Sequence, residues 1–156
     1  MALREGFFQV VSFITTTGFI TTDYLLWPFA GITLLFLLMF AGASTGSSTG
    51  SIKMARHLLV LKNIKHIFTK LLHPNMVMHI KFNRKMLSEK TNRSVLSFVV
   101  LFLFIFLAGT ALIVITGVDP VTAASASASA LGNVGPGLGS IGPVLNYSHL
   151  EGTTKL

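Results

Sequence analysis

The sequence predicts an all-α membrane protein assembled from span–half-helix–span units, and three observations carry that prediction. Of its 156 residues, 51% are hydrophobic and 11% charged, against about 25% charged in a typical soluble domain. Residues Val95 to Gly117 form an uncharged apolar run, long enough to cross the roughly 30 Å hydrocarbon core of a bilayer. Two shorter segments, residues 6–17 and 121–130, reach about halfway across and run into glycine-containing turns.

The first half-helix leads into Thr15-Thr16-Thr17-Gly18-Phe19. Hydroxyls in series precede a glycine, which frees the backbone to leave helical geometry and turn carbonyl oxygens toward one axis. A ring of such oxygens can replace the water shell of an alkali cation. Half-helices survive at membrane depth only inside protein or beside a water-filled cavity. This stretch therefore reads as one wall of an ion filter. Beyond it, Tyr24 and Trp27 suit a membrane–water interface. Asp23 is either a mouth acid that concentrates cations or a plain loop acid.

Trp27-Pro28 opens a span that stays apolar only from Phe29 to Phe40. Residues 41–51, AGASTGSSTGS, contain no large side chain, and the apolar pattern resumes from Ile52 to Leu61. Three readings compete. Gly42, Gly46 and Gly50 have the spacing of a helix-packing face. Three glycines at about 1 kcal/mol each, with six Ser or Thr hydroxyls competing for backbone partners, weigh against a continuous helix. A phosphate cradle lacks the Lys-Ser or Lys-Thr that its motif needs. A broken helix looping inside the membrane fits best, and under a filter it is a natural gate.

Ten of the twelve Lys and Arg residues lie between Lys53 and Arg93. Basic residues gathered beside apolar spans mark the cytoplasmic side. Their alternation with Ile64, Ile67, Leu71 and Phe82 suits segments lying on anionic headgroups, or an acidic partner. Apolar interruptions argue against nucleic acid. Pro74 breaks the pattern, and Asn83-Arg84-Lys85 suits a turn.

After the long span, Asp119-Pro120 reads as an N-cap followed by the first helical position. Val121 to Ala130, almost all Ala and Ser, is the second half-helix and ends in LGNVGPGLG, residues 131–139. Placing Gly18 on Gly132 sets Thr17 on Leu131, Thr16 on Ala130 and Phe7 on Val121. The second unit lacks the threonines, so its carbonyls must carry more of the ion's coordination. The glycines do not make a dinucleotide fingerprint, for want of a βαβ setting.

These motifs resemble those of the TrkH/KtrB potassium transporters over nearly the whole chain. Residues 15–19 with Asp23-Tyr24 resemble that family's third filter repeat, residues 42–53 (GASTGSSTGSIK) its intramembrane loop, and residues 131–139 its fourth filter repeat. The resemblance implies span–pore helix–span repeats of the potassium-channel type, of which this chain is a fragment of a pseudo-fourfold pore. It assigns Thr16, Thr17, Gly18 and Phe19 to one filter wall and Leu131, Gly132, Asn133 and Val134 to the next. Gly42, Ala43, Ser44, Thr45, Gly46, Ser47, Ser48, Thr49 and Gly50 become the gate loop. Ser51 stands where the family often has glycine, which would stiffen the gate.

The implied organisation is pore helix and filter at 6–26, a broken span at 27–70 with its loop at 41–51, and a basic cytoplasmic connection at 71–93. A span at 94–117, a second pore helix and filter at 119–142 and an extracellular tail at 143–156 follow. Two walls need completion by the missing repeats of the same transporter or by a second copy, and the family implies a dimer. It also implies a cytosolic nucleotide-binding regulatory subunit of the TrkA/KtrA type and a bacterial inner membrane, with residues 53–93 on the cytoplasmic side. Potassium is substrate, held by filter oxygens alone, and no resident cofactor is expected.

Other classes find little support. The chain has no cysteine, which excludes disulfides and thiolate metal sites. Its five histidines are scattered, and none of its five acids pairs with a His or Lys at a catalytic spacing. The long spans carry no acid, which argues against proton coupling. The start lacks signal-peptide features, and both ends read as cut from something longer. The competing function is a non-conducting membrane module that packs through Gly42, Gly46 and Gly50.

Overall fold

The structure, a computed structural model, describes residues 2–47, 49–73, 81–82 and 85–143. Its helices are α1 (Ala2–Ile14), α2 (Phe29–Leu38), α3 (Met54–Leu72), α4 (Glu89–Ile115) and α5 (Pro120–Gly132). The strands are two-residue pairings, so the all-α class stands.

Helix α1 begins earlier than residue 6 and stops at Ile14, short of residue 17. The early stop has a local cause. The Thr15 hydroxyl donates to the Val11 carbonyl at 2.7 Å, and the Thr17 N–H reaches the Ser12 carbonyl at 3.0 Å. Threonine hydroxyls thus compete for carbonyls that a longer helix would use.

With 10 residues, α2 is about 15 Å long at a helix's ordinary rise and reaches halfway across a bilayer. It gives way to a strand, β1 (Ala41–Gly42), that pairs in parallel with β2 (Ile52–Lys53), Ala41 opposite Ile52 and Gly42 opposite Lys53. Parallel pairing means that the chain leaves and re-enters the loop in one direction. Helix α3 follows β2 directly, at Met54.

Helix α4, of 27 residues, is the one helix among those described that is long and apolar enough to span a membrane. It starts at Glu89 rather than 94 because the Ser88 hydroxyl caps it, accepting from the Thr91 N–H at 3.2 Å. Leu101, Phe104 and Leu107 stand exposed on it, an arrangement that hydrocarbon tolerates and water penalises. Lys81–Phe82 pairs antiparallel with Lys85–Met86. The residues around Pro74, the Asn83-Arg84 pair, Ser48 and the tail from 144 lie outside the described residues.

Helix α5 sits at the centre, with eight of its residues buried. The Asp119 carboxylate caps it, accepting from the N–H groups of Val121 (3.1 Å) and Thr122 (3.3 Å), with Pro120 at the first position. Small side chains let α4 come close: the Ser127 hydroxyl donates to the Phe106 carbonyl at 3.1 Å beside Gly109. One apolar cluster joins Phe13, Tyr24, Leu35, Met39, Ala128, Val134 and Leu138.

Candidate functional site

The two re-entrant ends share one hydrogen-bond signature. Thr16 N–H donates to Phe13 O (3.2 Å) and Thr17 N–H to Ser12 O (3.0 Å). In the second unit Asn133 N–H donates to Ala130 O (3.3 Å) and Val134 N–H to Ser129 O (3.0 Å). Thr16 and Asn133 both take the left-handed backbone, at φ 54° and 55°. Two residues later come Gly18 (φ 69°) and Gly135 (φ 106°). This is the left-handed stop by which helices satisfy their last carbonyls, built twice.

The match pairs Gly18 with Gly135, three positions beyond the expected partner Gly132. Leu131 and Gly132 belong to the last turn of α5, while Asn133 and Val134 lie in uncoiled chain. The expected register errs because threonine and asparagine, not glycine, take the first left-handed position. The first glycine of the second unit is helical and marks no turn.

Side chains on each half-helix hold the chain as it returns. In the first unit the Ser12 hydroxyl donates to Phe19 O at 2.7 Å, and the Gln9 side-chain carbonyl accepts from Thr21 N–H at 3.4 Å. Ser129, the counterpart of Ser12, accepts from Gly135 N–H at 3.0 Å. Ser125 accepts from Leu138 N–H at 2.9 Å, and Thr122 from Ser140 N–H at 3.2 Å. Thr122, Ser125 and Ser129 are spaced to share one helix face. That spacing was available in the sequence, where the Ala-Ser alternation hid it.

The walls also touch each other. A Cβ at Gly18 would overlap the Val134 carbonyl oxygen, so backbone lies on backbone. Tyr24, expected at a membrane–water interface, is fully buried instead. Its ring meets Phe13 edge-on at 5.5 Å, and its hydroxyl donates to the Gly137 carbonyl at 2.6 Å. The Asp23 carboxylate accepts from Leu25 N–H at 3.0 Å, a local cap.

The electrostatics favour a cation. Both half-helices aim their C-terminal ends, each worth about half a negative charge, at the uncoiled residues. Neither last turn carries a basic residue. Among the described residues, the carbonyls of Thr16, Thr17, Gly18, Asn133 and Val134 accept no hydrogen bond. Phe19 is 70% exposed.

The loop lies against the last turn of α5, with the position of a Cβ on Gly50 3.0 Å from Gly132 O. Ser47 N–H donates to Ser44 O at 3.0 Å, closing a turn, and Gly46 has nothing near the position of a Cβ. Gly42, Gly46 and Gly50 therefore line no helix face, and the packing-helix reading of the segment loses its basis. Three side chains from the far stem fasten the loop. Ser51 Oγ donates to Met39 O at 2.6 Å, Lys53 Nζ to Thr45 O at 3.0 Å, and His57 Nε2 lies 3.1 Å from Phe40 O. Further along, Asn63 and Asn92 exchange amide hydrogen bonds at 2.8 Å each, joining α3 to α4. Arg56 lies over the Phe98 ring, 3.7 Å from its centroid. Sequence reasoning singled out neither contact.

A family profile described as "Cation transport protein", TrkH, matches residues 1–149. The Trk system potassium uptake protein TrkH of Escherichia coli is 36% identical over 155 residues, covering 99% of this chain and 32% of that protein. TrkI of Halomonas elongata is 35% identical over 156 residues, with 99% and 32% covered. The crystal structure of the potassium transporter TrkH from Vibrio parahaemolyticus superposes with a TM-score of 0.88 at 32% identity, over 99% of this chain and 32% of that one. The chain thus spans about 32% of the length of the curated relatives it matches.

Proposed function

The chain belongs to the TrkH family of cation transport proteins, and from that premise we propose that it forms two adjoining walls and the gate of a potassium uptake pore. The observation that carries the reading is the repeated ending: two half-length helices, each closed by a left-handed turn, leave unpaired carbonyls at their negative ends. The filter oxygens are those of Thr16, Thr17, Gly18 and Phe19 on one wall. On the other they are those of Asn133 and Val134, extended to Gly135 by the structural match, with Leu131 and Gly132 as the helical base. Phe19 contributes less, since its carbonyl already accepts from Ser12.

Potassium would shed water against these oxygens and pass down its gradient, with no bond made or broken. The loop at 41–51, from Gly42 through Gly46 to Gly50 and including Ser48, gates the path from below. Further repeats or a second copy supply the other walls, and the assembled transporter is a dimer. A cytosolic nucleotide-binding subunit acts from the side of residues 53–93, whose basic residues also meet lipid headgroups. The setting is a bacterial inner membrane crossed several times.

The test is potassium uptake by a complete transporter carrying this region, in cells lacking other uptake systems. Growth at limiting potassium is expected. No uptake at normal membrane abundance would overturn the proposal.

A further inference from the structure

We infer that the gate loop and the second filter wall are one mechanically coupled unit, with the Ser51 hydroxyl as the latch between them. The inference rests on the transport reading for what the loop obstructs. Three pieces of backbone meet at Ser51: the broken end of α2, the far stem of the loop, and the last turn of α5. Ser51 is 2% exposed, and its hydroxyl donates to Met39 O at 2.6 Å. A Cβ on Gly132 would stand 2.7 Å from that same hydroxyl and 3.1 Å from Met39 O. A Cβ on Gly50 would stand 3.0 Å from Gly132 O and 3.2 Å from Leu131 O.

Glycine thus faces the contact from both sides, and a Cβ on Gly50 would press directly on the backbone of Leu131 and Gly132. A loop withdrawing from the pore must break the Ser51–Met39 bond and uncover the Leu131 and Gly132 carbonyls. These lie directly before the left-handed turn at Asn133 that sets the second wall. A shift of that turn reaches the loop by the same route. The closed loop also keeps one buried hydroxyl, Thr49 Oγ1, without a hydrogen-bond partner. That cost opposes closure, and the Ser51 bond offsets it. Ser51 is therefore a positioning residue: it touches no ion and sets the balance between shut and open.

The experiment uses the complete transporter in liposomes without its regulatory subunit, reading rubidium influx and the rubidium-to-sodium ratio. Ser51→Ala is expected to raise regulator-free influx by about threefold to tenfold, the ratio that loss of one ordinary hydrogen bond permits. Gly132→Ala is expected to change both influx and the ion ratio, because its methyl meets the Ser51 hydroxyl. In the double variant that hydroxyl is gone, so the ion ratio should return toward wild type. Gly50→Ala, which presses on the same carbonyls from the loop side, serves if Gly132→Ala fails to assemble, and it should shift the ion ratio. Unchanged influx in Ser51→Ala, a double variant whose effects simply add, or an unaltered ion ratio in Gly50→Ala would each overturn the coupling. A wild-type transporter that takes up no potassium would instead sink the transport reading itself.

Discussion

Gly18→Ala is the substitution for which the structure makes the sharpest demand. Gly18 holds φ 69°, and its missing Cβ would overlap the Val134 carbonyl oxygen. Left-handed backbone costs an alanine about 1–2 kcal/mol. The overlap cannot be relieved by turning a side chain, because the obstacle is the main chain of the other wall. Either Gly18 rotates out of the left-handed region, withdrawing its own carbonyl, or Val134 moves and withdraws another. If about 1.4 kcal/mol of this strain reaches the ion's path, flux falls about tenfold. Gly31→Ala, inside α2 with only ordinary contacts at 3.5 Å and beyond, is the matched control. There alanine should favour the helix by about 1 kcal/mol and leave flux unchanged. The assay is rubidium uptake into cells lacking other potassium systems, normalised to transporter in the membrane. Wild-type uptake by Gly18→Ala at equal abundance would refute the reasoning.

Other consequences are measurable by thermal unfolding in detergent. Tyr24→Phe removes the hydroxyl that donates to Gly137 O at 2.6 Å in a buried setting; it should cost about 1–3 kcal/mol and lower the midpoint, and an unchanged midpoint would show that the bond does not hold the walls together. Asn63→Leu and Asn92→Leu each orphan a reciprocal amide, so each single variant should lose more stability than half the loss in the double, whereas strict additivity would deny their coupling. Asp119→Ala strips the cap from α5 and should cost about 1 kcal/mol, with Asp119→Asn retaining most of it; equal loss in both would point to charge rather than capping.

How much of this was legible in the sequence follows from what each feature depends on. The long span, the Asp119-Pro120 helix start and the break after Phe40 depend on local composition, and all three could be read directly. The repeat was legible as a pattern but not in register. The left-handed position is fixed by the backbone bonds from Thr17 to Ser12 and from Val134 to Ser129, and a threonine or an asparagine can occupy it. Anchoring on the first glycine therefore paired Gly18 with Gly132, three residues short of Gly135. Tyr24 has the composition of an interface residue, yet its position is decided by Gly137, more than a hundred residues away. Ser51 shows why a small-residue loop can be seen while its latch cannot. In sequence it is one more serine, and only the fold brings Met39 and Gly132 against it.

The central claim is that the main-chain oxygens of both walls coordinate a dehydrated cation. An experimental structure of the complete transporter soaked in thallium or rubidium, with anomalous maps, tests it most directly. The account predicts ion density in direct coordination with the carbonyls of Thr16 or Thr17 and with those of Asn133 or Val134. Density elsewhere along the pore, with these carbonyls turned onto N–H donors of the protein, would contradict it.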